Sequence, residues 1–314
     1  MKKLTLFFCL ILLLISSACY KANLQPETTK QIEEMDDYAI LANCDLQIKM
    51  DNQTTNLKIN ALPDSHIRQD ERQRLLILSD PSDQYKHGIL GDAIEATSVT
   101  MVQLSEQPAV ISKFSVPEGW VIESIRPIWS DWDGDGEREI VLTLSNSTSG
   151  SKLVLYDKNG NLLAESLPIG KGFRWRHALD IASFGENGQR LLVDVQTPHI
   201  GGIVSFYSWD KEKKVLKIEA TLQGYSTHDI GSRAMRMYAL VIDEQNEQIL
   251  LILPSQSKTE LAALRFVSGE IHEVWRIPLG GKLSGNLELI DENGVRAIRA
   301  IVDNNREVLL NLPE

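Results

Sequence analysis

Cysteine is scarce: three residues in 314 are too few for a disulfide scaffold, and none stands in a CxxC spacing. Basic charge is also in deficit. Lys and Arg total 32 against 43 Asp and Glu, a formal charge of −11. A surface of that sign repels phosphate backbones, which excludes nucleic acid as a partner class. Long hydrophobic runs are almost absent. The one run, Leu4 to Ile15, is interrupted only by Thr5 and falls well short of the ~20 residues that a membrane-spanning helix needs. GxSxG, HExxH, P-loop and GxGxxG spacings are all missing, so no reaction is announced. What remains is an ordinary globular composition, 43% hydrophobic and 24% charged, long enough for one large or two medium domains.

The N-terminus reads as an export signal spanning residues 1–18. Met1-Lys2-Lys3 is a basic n-region, Leu4–Ile15 an h-region, and Ser16-Ser17-Ala18 a small-residue cleavage site directly before Cys19. This arrangement resembles a bacterial lipoprotein signal, which implies cleavage and acylation at Cys19 and a membrane partner through the lipid. Ser16 departs from that family's usual Leu, and simple secretion or a soluble periplasmic protein is the alternative. Cys9 leaves with the signal. Cys44 is then a lone thiol if Cys19 is acylated, or pairs with Cys19 if it is not. Tyr20, where Gram-negative lipoproteins retained in the inner membrane carry Asp, implies the periplasmic side of the outer membrane. Residues 19–44 are polar and acidic and read as a tether.

From residue 45 to 314 the pattern is short β runs separated by Asp, Asn and Gly turns. They include Leu46–Met50, Leu75–Ser79, Ile140–Leu144, Lys152–Tyr156, Leu191–Gln196, Ile203–Tyr207, Val215–Ala220, Ile249–Leu253 and Arg296–Val302. No stretch sustains helical periodicity, so the expected class is all-β. An apolar strand, an Asp/Asn/Gly loop and a second β run recur together. Aligning Leu75, Ile140, Leu191, Ile249 and Ala297 gives a step of roughly 50 to 65 residues, which fits four short strands and hence a β-propeller blade. Asn56–Pro63 has the same form as the strand Asn161–Pro168, and the last unit ends one strand short. The expectation is therefore five four-stranded blades, the ring closed by an N-terminal strand that removes two sheet edges. Six blades is the alternative, should residues 44–63 supply more than closing strands.

One turn carries a specific pattern. Asp131-Trp-Asp133-Gly-Asp135-Gly-Glu137-Arg-Glu139 places carboxylates at alternate positions around a glycine turn, as a hard oxygen-seeking ion such as Ca²⁺ requires. Asp131, Asp133, Asp135 and Glu139 would give side chains and Glu137 its backbone carbonyl. Leu142 occupies position 12, so this is not an EF-hand. The loop and its following Ile140-Val-Leu resemble the calcium loop of FG-GAP/VCBS-type propeller repeats. That resemblance covers about residues 60–314 and implies one structural Ca²⁺ that braces a blade without taking part in chemistry.

Blade logic puts the strand 4-to-1 and strand 2-to-3 connections on one face. Five of six histidines fall there, with several arginines. His87, Arg174, Arg176, His177, His199, His228 and Arg233 are the candidate ligand-binding residues, and an anion site is one use for them. The first functional expectation is a non-enzymatic binding or scaffold module that offers this face to a protein or glycan. The alternative is a propeller enzyme acting on an anionic or carbohydrate substrate, with His as base and Arg holding charge.

Overall fold

The computed structural model describes residues 37–313 apart from 51, 244, 246, 247, 293 and 294. The signal at 1–18, the acylation site Cys19 and most of the tether lie outside the described residues. The chain is all-β, and its strands fall in chain order into groups A to F; single backbone pairings, Ala96 with Ile122 and Glu165 with Val215, join B, C and D into one continuous 13-stranded sheet. Sheet A comprises Tyr38–Ile40, Leu46–Met50 and Gln53–Leu57. Sheet B follows with Arg68–Gln69, Arg74–Ser82, Glu95–Gln103 and Ala109–Ser115. Sheet C has a broken first strand, Val121–Ile122 and Ile128–Ser130, then Glu139–Asn146, Gly150–Tyr156 and Leu162–Glu165. Sheet D is Arg176–Ala182, Leu191–Gln196, Ile203–Asp210 and Val215–Gln223. Sheet E is Ala239–Asp243, Gln248–Pro254, Glu260–Val267 and Glu270–Pro278. Sheet F has three strands, Leu283–Glu292, Val295–Val302 and Arg306–Asn311. All nine β runs named from the sequence lie within these strands.

Side-chain alternation explains how the sheets stack. The second strand of each four-stranded sheet carries a short apolar run, Leu75–Leu78, Ile140–Leu142, Leu191–Val193 and Ile249–Leu253, as a strand buried on both faces requires. Successive residues then serve opposite neighbours. Leu75 and Ile77 pack towards sheet A with Leu46 and Ile48, while Leu76 and Leu78 pack towards sheet C with Ile140 and Leu142. Val141 turns the other way, to Ile181 and Leu192 of sheet D. Val193 and Phe206 meet Leu251 of sheet E, and Ile252 meets Ile298 and Ala300 of sheet F. Among the described residues five apolar cores thus lie between the six groups of strands in chain order. Fourth strands such as Val215–Gln223 alternate between exposed and covered residues, as outer strands should.

The ends differ from expectation. The segment Asn56–Pro63, read from the sequence as the ring-closing strand, divides between two neighbours: Asn56 and Leu57 end the strand Gln53–Leu57, which pairs with Leu46–Met50 in sheet A, and Asn60–Leu62 bonds to Leu78–Asp80 of sheet B. Tyr38–Ile40, expected in the tether, is the third strand of that same sheet. Among the described residues no strand of sheet A pairs with sheet F. The reason is local: only two residues separate Leu46–Met50 from Gln53–Leu57, and so short a connection favours a hairpin between adjacent β runs over pairing across nearly the whole chain.

The first strands of sheets B to F nevertheless share a centre. His66 donates its backbone N–H to the Ile125 carbonyl at 2.7 Å. Arg126 Nη1 donates to the Leu179 carbonyl and to the Tyr238 hydroxyl, each at 3.1 Å. Tyr238 in turn donates to the Leu179 carbonyl at 2.6 Å, and the Arg236 backbone N–H donates to Asn286 Oδ1 at 2.9 Å.

Candidate functional site

The strand 4-to-1 and strand 2-to-3 connections do gather on one face, around Trp175. Its indole stacks on His177 (centroids 5.1 Å apart) and on His199 (6.0 Å), and His228 meets it edge-on at 4.8 Å. Trp175 sits there because it precedes the strand Arg176–Ala182 and its Nε1–H donates to the Glu123 carbonyl at 2.8 Å. His228 Nε2–H donates to the Ser232 carbonyl at 2.9 Å, which leaves His228 Nδ1 to accept from His199 Nε2–H at 3.1 Å. His177 Nδ1 lies 3.0 Å from Thr227 Oγ1.

Burial lowers the basicity of all three imidazoles. His177 is pushed well below the ordinary value by burial, with His228, Arg126 and His199 adding to the effect. His199 and His228 fall to about 4, burial again the first cause. The three are neutral at pH 7. Among the described residues they do not form a metal-ligand cluster.

His87 differs from the other three. Its Nδ1 lies 2.5 Å from Glu123 Oε1, and Glu123 Oε2 accepts from Ser145 Oγ. Glu123 has no exposed side-chain surface, and burial holds its carboxyl above the usual range while His87 acts in the opposite direction. A second buried carboxyl lies close by: Glu95 is 1% exposed and pushed up to about 9 by burial, with Glu123, Asp92 and Asp64 adding repulsion. Neither glutamate was singled out from the sequence. Glu123 stands in the apolar run Val121-Ile-Glu-Ser-Ile125, where an isolated charge is the only signal that it is buried and paired.

The arginines do not form an open anion site. Arg176 turns into the interior, where Nη1 meets Asp194 at 3.3 Å and the Tyr207 hydroxyl at 2.9 Å. Arg233 bridges Asp64 at 2.8 Å and Asp92 at 2.6 Å, clamping sheet B's loop to the linker between sheets D and E. Arg174 Nη1 donates to the Phe173 carbonyl at 2.9 Å.

Phe173 is a site residue that the sequence did not reveal. It has φ of +53°, a backbone region that costs a bulky residue free energy. Its ring is 45% exposed and stacks on the buried Tyr85 at 5.4 Å, with the His87 ring edge-on at 5.6 Å. The loop that carries it is held down: Ile169 and Gly170 donate to the carbonyls of Ser151 and Ser149 at 3.0 and 2.8 Å. Gly172 lies so close to this hairpin that a Cβ would stand 1.8 Å from the Ser147 carbonyl oxygen. Three more apolar tips rise from the same face, Leu167, Ile200 and Ile230, at 85, 66 and 70% exposure.

On the opposite face, the acidic turn brings together ligand oxygens of Asp131, Asp133 and Glu139 within 4.8 Å of one another. Both Asp131 oxygens accept backbone N–H groups, of Gly134 at 2.8 Å and Gly136 at 3.1 Å. Burial, then the neighbouring Asp133, Asp131 and Asp135, pushes Glu139 up to about 7. The other two carboxylates turn elsewhere. Asp135 accepts the Glu137 N–H at 2.7 Å. Glu137 pairs with Arg74 at 3.0 Å, with Arg72 and with Lys158, and Arg74 above all holds it down at about 2.

No protein-family model matches this chain, and no curated protein sequence does. Among solved structures, it is similar to the WD40 domain of Toxoplasma gondii coronin, at 11% identity and a TM-score of 0.43, covering 88% of this chain and 81% of that one. It is also similar to the fission yeast SREBP–SCAP binding domains, at 10% identity and a TM-score of 0.47, covering 88% and 70%. A rhamnogalacturonan lyase of Bacillus licheniformis follows at 15% identity and 0.41, covering 66% of this chain and 49% of the lyase. The chain thus spans about half the length of that lyase.

Proposed function

We propose that this chain is an exported, lipid-anchored propeller that binds a macromolecular partner through its histidine-bearing face. Residues 1–18 are the signal, Cys19 carries the lipid, and the fold stands on the periplasmic side of the outer membrane. Sheet A counts as a blade of its own, which favours a six-bladed ring. The observation that carries the binding role is Phe173: a strained, firmly held loop keeps its ring exposed beside the tips of Leu167, Ile200 and Ile230. Exposed apolar groups on rigid loops bind without an ordering cost and mark interaction surfaces. The triple variant Leu167→Asp, Ile200→Asp, Ile230→Asp is expected to keep the wild-type melting temperature and lose a discrete co-purifying species. Retention of that species by the variant would count against this face.

The His87–Glu123 pair favours a second reading. An imidazole held at Nδ1 by a buried carboxylate keeps Nε2 for proton transfer, as an acid–base catalyst on a carbohydrate or anionic substrate would. Turnover with a bell-shaped pH profile, abolished in His87→Ala, would establish it.

The acidic turn fits a structural Ca²⁺ through its donor chemistry, three hard oxygens from Asp131, Asp133 and Glu139. The Glu137 backbone carbonyl would join them, whereas the Asp135 carboxylate, turned to its own loop, would have to swing. The ion would relieve the repulsion that raises Glu139 and brace sheet C. Chelation with EDTA is expected to lower the melting temperature by several degrees, and Asp133→Ala to abolish that sensitivity. Identical melting with Ca²⁺ and with EDTA would rule out a stabilising ion.

A further inference from the structure

Beside the acidic turn, on the face away from the histidines, lies a cleft of about 420 Å³ between sheets C and D. The residues that give it its chemistry are Trp132, Asp133, Gln189, Ser208, Trp209 and Lys211. Three bottom loops build it: the strand 1-to-2 turns of both sheets and the strand 3-to-4 turn of sheet D. Trp132 is fixed, since its Nε1–H donates to the Arg190 carbonyl at 3.0 Å and its ring packs 6.0 Å from that of Trp209. Lys211 lies across the cleft, its ammonium 4.9 Å from the Trp209 ring centroid and 2.7 Å from Asp133.

We infer that this cleft is a binding site for a neutral saccharide. A sugar ring has an apolar C–H face, which stacks on an indole, and a rim of hydroxyls that both donate and accept. The cleft supplies the indole of Trp209, donors in Lys211 and the Gln189 amide, and acceptors in Asp133, Ser208 and the Gln189 carbonyl. Its size is that of a small-ligand pocket, with a few placed polar groups around an aromatic wall. Charge narrows the class. The charged groups of the lining are already partnered: Asp133 pairs with Lys211, and Arg190 donates to the Asp131 carbonyl, so an acidic ligand finds no cation held open for it. An ammonium ligand finds both the Trp209 face and Asp133 already engaged by Lys211. A wholly apolar ligand would strip water from Asp133 and Lys211 without replacing their hydrogen bonds. An uncharged polyhydroxylated ring needs only that Lys211 swing off the Trp209 face, where its ammonium can then donate to a ring hydroxyl.

The site lies on the face opposite Phe173 and stands or falls independently of the partner-binding role. The test is titration of the full chain with cellohexaose, xylohexaose, mannohexaose and maltohexaose, followed by tryptophan fluorescence and calorimetry. At least one is expected to bind with millimolar or tighter affinity and shift the fluorescence, and Trp209→Ala and Gln189→Ala each to weaken it by about tenfold or more. Two variants guard against misfolding, because Gln189 is exposed and its loss should leave melting unchanged. Absence of binding by all four at about 10 mM, or equal binding by both variants, would overturn the assignment.

Discussion

Arg176→Met is expected to cost about 3–5 kcal/mol of folding stability, one of the two largest single-residue effects anticipated in this protein. Arg176 is 5% exposed at its side chain and faces Asp194, which has no exposed surface. It also donates to the Tyr207 hydroxyl at 2.9 Å and to Gln196 at 3.4 Å. Burial already pushes Asp194 up to about 6, against the opposing influence of Arg176, Tyr207 and Ser205. Removing the guanidinium leaves a buried carboxyl that must either take a proton or remain charged without a partner, and both are costly. Urea denaturation at pH 7 measures the loss. Arg176→Met with Asp194→Leu should recover most of it, because the cost lies in the orphaned charge rather than in the missing pair. A loss below about 1 kcal/mol in the single variant would show that the pair is not buried as described.

Glu95→Gln carries the second large effect, and it grows with pH. The folded carboxyl titrates at about 9, against 4.5 for an ordinary glutamate. Between those values the native state keeps a proton that the unfolded chain has released. Wild-type stability therefore falls as pH rises through this window, by about 1.4 kcal/mol per unit. Glutamine bears no such proton, so the variant should match wild type near pH 4.5 and exceed it by several kcal/mol at pH 9. The neutral histidines act with the opposite slope. His228 titrates at about 4 when folded against 6.5 free, so its burial costs stability as pH falls from 6.5 towards 4. The two slopes overlap between pH 4.5 and 6.5, and the variant's difference from wild type isolates Glu95. Urea midpoints at pH 5, 7 and 9 that run parallel for variant and wild type would show that Glu95 is not held protonated.

Much of the architecture was legible because it follows from local pattern. Runs such as Leu75–Leu78 and Ile249–Leu253 are too short for helices and read as strands buried on both sides, and Asp/Asn/Gly turns mark where they reverse. The convergence of His87, His177, His199 and His228 on one face followed from blade periodicity alone. What stayed hidden depends on partners distant in sequence. Arg233 reads as a free cation until Asp64, 169 residues away, is placed beside it. Glu95 reads as an ordinary surface charge, and Glu123 gives only the faint signal of a lone charge in an apolar run, until the loops fold over them. Asn56–Pro63 could pair with its neighbours or with the far end of the chain, and composition does not distinguish a local pairing from a ring-closing strand. Phe173 gave no signal, because a left-handed backbone at a phenylalanine is imposed by the close approach of Gly172 to Ser147, not by its own preference.

Photo-cross-linking tests the central claim most directly. A photoreactive residue placed in turn at Phe173, Ile200, Ile230 and, on the opposite face, at Lys213 of the protein in its native cells should trap one defined partner from the first three positions only. A partner trapped equally from Lys213, or from none of the four, would contradict a binding role for the histidine-bearing face.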